Sequence, residues 1–157
     1  MLIKSKIITG VSFISLIALA TVIYTRLTNP LQAQISLTPK DKKVITLGEN
    51  VYQDHCATCH GEKLEGQPNW RKRMANGYLP APPHDEKGHT WHHSDKYLFQ
   101  ITKFGLEKII DRKYPNNMPI YEGKLSDNEI IAVLSFIKST WSESIQDHHN
   151  QLNRHQN

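Results

Sequence analysis

The chain has 157 residues, a formal net charge of +4 and only two cysteines. That length suffices for one domain plus appendages, no internal repeat multiplies it, and two cysteines exclude a disulfide framework and a four-thiolate zinc site. With Lys4, Lys6 and Arg26 set apart, about +1 remains on the rest of the chain, so nucleic acid is not an expected partner.

Residues 1–33 read as a separate module. Lys4 and Lys6 precede an uncharged apolar run over residues 7–24, at the boundary between a signal h-region and a membrane-spanning helix. Tyr24 and Arg26 form an interfacial edge. Leu31-Gln32-Ala33 is a candidate cleavage site, although it lies far beyond the apolar run. The favoured expectation is an uncleaved signal-anchor, with a cleaved signal as the alternative. In both cases the positive N-terminus stays cytoplasmic and the rest is exported.

Residues 34–43 read as a polar linker carrying Pro39 and three lysines. A helix is predicted from about Val44, with Val44, Leu47, Val51 and Tyr52 at helical spacing. It runs into Cys56-Ala57-Thr58-Cys59-His60. Two thiols two residues apart on a helical turn suit addition to the two vinyl groups of a haem, and the next histidine then lies under the iron. The competing thioredoxin-like dithiol reading leaves His60 unexplained.

Residues 61–93 read as a long loop rich in Gly, Pro and His. Ser94 or Asp95 is expected to cap a helix through about Phe104, with Gly105 as its stop and a short helix or turn at 106–111. Ser126-Asp127-Asn128-Glu129 is a capping box opening a final amphipathic helix, with Ile130, Val133, Leu134, Phe136 and Ile137 facing inward. Residues 143–157 are rich in Gln, Asn and His and read as a polar, disordered tail, with His148, His149 and His155 solvated.

A haem iron needs a sixth ligand for pure electron transfer. Met118 lies before Pro119 in a segment of turn residues, and proline biases it towards extended backbone. Met74, in the basic run Arg71-Lys72-Arg73, and a histidine from residues 84–93 are the competitors. His84, His89, His92 and His93 fall within ten residues. They form either a structural or partner-facing loop, or a copper or zinc site.

Together, Gly48, Tyr52, Cys56-x-x-Cys59-His60-Gly61, Met118-Pro119 and the final amphipathic helix give the chain its resemblance to class I mono-haem cytochromes c of the membrane-anchored or secreted bacterial type. The resemblance covers about residues 44–142. It implies an all-α fold with crossed N- and C-terminal helices and long loops around one covalent haem c, preceded here by the N-terminal apolar helix. It implies that Gly48 and Tyr52 meet an aromatic on the last helix, Phe136 or Trp141. It also implies that a carbonyl at Pro80 or Pro82 accepts the proximal N–H. Trp70, Arg71 and Tyr78 are candidates, by position alone, for hydrogen bonds to the haem propionates.

The expected function is one-electron transfer rather than enzymatic turnover. Cys56 and Cys59 hold the haem, and His60 and Met118 are the axial ligands. The partners are redox proteins or a membrane respiratory complex. The expected location is the inner membrane with the haem domain in the periplasm, or the soluble periplasm after cleavage. The alternatives are a haem enzyme or gas sensor with an open sixth site, and a copper-handling protein using the loop from His84 to His93.

Overall fold

The computed structural model describes residues 35–155 and Thr21. The 7–24 run (Thr21 apart) and the candidate cleavage site lie outside the described residues. Among the described residues there is no strand, and no helix is long and apolar enough to cross a membrane.

Within residues 35–155 six α-helices follow one another: α1 (Lys42–His55), α2 (Ala57–His60), α3 (Asp95–Phe104), α4 (Leu106–Ile110), α5 (Asp127–Ser139) and α6 (Glu143–His155). A single 3₁₀ turn, Thr90–His92, interrupts the loop from 61 to 94. α1 begins two residues earlier than its apolar spacing predicts, because the Asp41 carboxylate accepts from the backbone N–H groups of Lys43 and Val44. Ser94 caps α3 through the N–H of Tyr97, and Gly105 ends it at φ +84°, a conformation that glycine adopts without strain. Gly105 then leads directly into α4.

The central packing is α1 across α5. Gly48 makes it possible: a Cβ built there would lie 2.0 Å from the Ala132 carbonyl oxygen and 2.9 Å from Phe136 Cβ. Tyr52, fully buried, meets the Phe136 ring at 5.6 Å between centroids. Phe136 is therefore the facing aromatic, while Trp141 is used elsewhere. Val51, Ile130, Val133, Leu134 and Ile137 fill the seam, with Leu98 and Phe99 joining from α3.

The capping box of α5 forms as predicted. Ser126 Oγ accepts from the Glu129 N–H, and the Glu129 carboxylate accepts from the Ser126 N–H at 2.8 Å. Ser126→Ala should cost about 1 kcal/mol, read as a lower denaturation midpoint in a protein that still carries haem.

Two expectations are corrected. Residues 35–41 are not a free linker: Leu37 is buried, its N–H donates to Asp95 Oδ2 at 2.9 Å, and Thr38 N–H donates to Ser135 Oγ at 3.0 Å. Residues 143–155 are not a disordered tail but α6, and His149 is fully buried rather than solvated. The physical reason is a polar contact surface. α6 docks through His149, Asn150 and Asn153, which bond to the His93 carbonyl, to Lys138 and to Asp95. Ile145 and Trp141 add apolar contact.

Candidate haem site

Cys56 closes α1 and opens α2, so the two thiols and His60 share one tight turn. The N–H groups of Cys59 and His60 both donate to the Cys56 carbonyl, at 3.1 and 2.9 Å. Gly61, at φ +84°, ends the turn and lets the chain leave at once. Cys56 is half-buried and Cys59 exposed, both as free thiols. Burial raises the Cys56 thiol to about 11, with Tyr121 opposing the shift and Cys59 adding to it.

His60 is buried and its Nδ1 lies 2.8 Å from the Pro82 carbonyl. A carbonyl can only accept, so Nδ1 carries the proton and Nε2 keeps its lone pair. Burial lowers the His60 pKa, against a smaller rise from the Pro82 bond, so the ring is held neutral. A neutral, oriented imidazole with a bare nitrogen is what an iron ligand requires. Between Pro80 and Pro82, which sequence leaves undecided, the structure selects Pro82. Two thiols on one turn beside this imidazole fit a covalent haem.

The loop carrying Met118 is pinned at both ends. Tyr114 N–H donates to Glu107 on α4, and Met118 N–H donates to Asn116 Oδ1 at 3.1 Å. Beyond the methionine, Tyr121 N–H donates to the Thr102 carbonyl, and its hydroxyl donates to the His55 carbonyl at 2.7 Å, one residue before Cys56. Met118 itself is 36% exposed, and Met74, in a turn closed by Tyr78, is 41% exposed. Accessibility therefore does not separate the two methionines.

The histidine loop is organised by ring contacts. His84 lies flat on His60, with centroids 4.0 Å apart and planes at 26°. His89 stacks on Trp70 at 5.3 Å, and His92 on Trp91 at 3.7 Å. Arg71 covers the Trp70 ring at 3.9 Å. Among the described residues no three His, Cys, Asp or Glu side chains are grouped to hold a metal ion. His89 and His93 also meet edge-on, with centroids 5.4 Å apart, and His93 packs against Tyr97 at 4.9 Å, so these rings lie against aromatic neighbours and one another. Sequence reasoning names His84 and Trp141 but misses their place beside His60 and their tie to each other. Trp141 Nε1 donates to the His84 carbonyl at 2.9 Å, a contact across 57 residues that no local pattern reveals.

The family model for Cytochrome c matches residues 45–141. No curated protein and no solved structure matches the chain. Members of that family carry a covalent c-type haem and generally transfer electrons rather than turn over a substrate, and their domains are typically exported. The matched span opens in α1 and closes at Trp141, taking in the Cys56-x-x-Cys59-His60 turn, so this chain belongs to the cytochrome c family, class I, and is a haem-binding electron carrier.

Proposed function

We propose that the protein is an exported one-electron carrier in which Cys56 and Cys59 form the thioethers to haem, His60 is the proximal ligand and Met118 the distal one. The observation that carries this reading is the His60–Pro82 bond, which leaves Nε2 neutral and free beside the two thiols. The bound haem supplies the reversible one-electron couple. The protein's own residues do the rest. The turn at Cys56 fixes the attachment, Pro82 fixes the imidazole, and Tyr121 ties the Met118 loop to the end of α1.

His84 shares the His60 side, since its ring lies flat on that imidazole. This speaks against His84 as a sixth ligand or a distal acid–base group. We further infer that residues 7–24 anchor the domain to the inner membrane, with the haem domain in the periplasm. Its partners would be redox proteins or a membrane respiratory complex. The Arg71-Lys72-Arg73 run offers a basic docking edge for an acidic partner.

The test is the optical spectrum of the haem-loaded protein. The oxidised form should show the weak far-red band of an iron–thioether bond, and Met118→Ala should abolish it while Met74→Ala leaves it. Met118→His should lower the reduction potential by on the order of 0.1 V, part of the roughly 0.8 V that axial ligation spans. A high-spin wild-type spectrum, or a band lost with Met74 instead, overturns the assignment.

A further inference from the structure

An imidazole bound to iron retains one soft motion, rotation about the metal–nitrogen bond. A hydrogen bond at Nδ1 restrains the ring's direction, but a single acceptor leaves it free to rock about the Nδ1···O line. In this protein a second element meets the ring from its face. His84 stacks on His60 with centroids 4.0 Å apart and planes inclined at 26°.

The stacked ring is itself held on several sides. The His84 N–H donates to the Leu64 carbonyl at 2.8 Å. Its carbonyl accepts from Trp141 Nε1, and its Nδ1 lies 2.8 Å from the hydroxyl of buried Thr90. Tyr52 stands edge-on to it at 6.4 Å and bonds through its hydroxyl to the Gly61 carbonyl, next to His60. Trp141 is buttressed in turn by α6, whose Gln146 donates to the Trp141 carbonyl and whose His149 packs edge-on against the indole. A ring this constrained is a rigid wall rather than a passive neighbour.

We propose that His84 is a positioning residue for the proximal ligand: its stacked imidazole, clamped by Thr90 and Trp141, fixes the rotation of the His60 ring. This rests on His60 being the proximal ligand. His84 and Pro82 then divide the work, one setting the plane of the imidazole and the other its hydrogen bond.

The experiment is low-temperature electron paramagnetic resonance of the oxidised, haem-loaded full chain, with the reduction potential measured alongside. The g values of a low-spin haem report the orientation of its axial ligand planes, which a loss of stability alone does not change. His84→Leu should shift and broaden the g signals. His84→Phe, which restores a flat ring, should return them close to wild type. Thr90→Val, which frees the His84 ring while leaving the stack in place, should broaden them to a smaller degree. Wild-type g values and linewidth in His84→Leu overturn the proposal, as do Leu and Phe variants that shift alike. If His84→Leu fails to load haem, an unchanged Thr90→Val signal overturns it. Wild-type g values in a haem-loaded His60→Ala variant would remove the proximal-ligand assignment and the proposal with it, so the two failures are told apart.

Discussion

Gly48→Ala should be among the most damaging single changes in the domain. The added methyl would lie 2.0 Å from the Ala132 carbonyl oxygen and 2.5 Å from its carbonyl carbon, both backbone atoms of α5. A flexible side chain can swing away from such a contact, but a helix backbone cannot. The helices must separate, and the seam of Val51, Tyr52, Ile130, Val133 and Ile137 opens with them. Overpacking of this kind costs about 3 kcal/mol. In a domain of this size that is roughly a 10 °C fall in the thermal midpoint. Differential scanning calorimetry of the haem-loaded variant measures it. A midpoint within a degree or two of wild type would mean that the α1–α5 crossing yields more readily than its geometry implies.

The Gly48 crossing is legible in the sequence, and so is the turn of Cys56, Cys59 and His60. The first is legible only through the family resemblance, the second as two thiols and an imidazole on one local turn. The capping box at Ser126 and the stop at Gly105 are likewise legible as local patterns. α6 is not. Hydrophobic periodicity finds a helix through the apolar stripe it buries, and the stripe of α6 is largely polar. Ile145, His149 and Leu152 do recur at helical spacing, but one imidazole among Gln and Asn reads as solvated unless its partners are known. Its hydrogen-bond partner, the His93 carbonyl, stands 56 residues away in sequence. Leu37 is hidden for a similar reason, since two apolar residues, Ile35 and Leu37, ahead of a lysine-rich run carry no helical period. Pro80 and Pro82 are equivalent as sequence, and only the path of the loop beneath His60 separates them.

The buried polar cluster that sequence does not reveal predicts the second large effect. Asp95, at the start of α3, joins three parts of the chain. Its carboxylate accepts from the Leu37 N–H at 2.9 Å and from Asn153 Nδ2 on α6 at 3.0 Å. It also faces Lys138 Nζ of α5 at 3.8 Å, and the Lys138 side chain is only 2% exposed. Burial lowers the Lys138 pKa, and Asp95 is the group that opposes this. Asp95→Ala strips the ammonium of its counter-charge, leaves the Leu37 N–H without its acceptor and takes from Asn153 one of its two. Breaking a buried pair from one side costs about 3–5 kcal/mol. Replacing both partners, as in Asp95→Asn with Lys138→Met, should recover most of that loss, because no uncompensated charge remains. Urea unfolding of the single and double variants decides it, and a double variant no more stable than Asp95→Ala would remove the charge from the explanation.

His149 gives the same cluster a pH dependence. Its Nε2 lies 2.7 Å from the His93 carbonyl and therefore carries the proton, while Nδ1 is buried without a partner. Burial lowers its pKa first, then Lys138, with His148 a lesser contributor. Asp95 and the His93 carbonyl oppose the shift. The folded pKa thus lies below the ordinary 6.5 of the unfolded chain. Protons bind preferentially to the unfolded state between those two values. Stability contributed by neutral His149 is present above pH 6.5 and is lost as pH falls through the folded pKa. Unfolding free energy should therefore decline on acidification below about pH 6.5, with amide exchange in α6 accelerating over the same range. His149→Leu should flatten that slope whatever it does to the midpoint at neutral pH. An unchanged slope would assign the acid sensitivity to another imidazole.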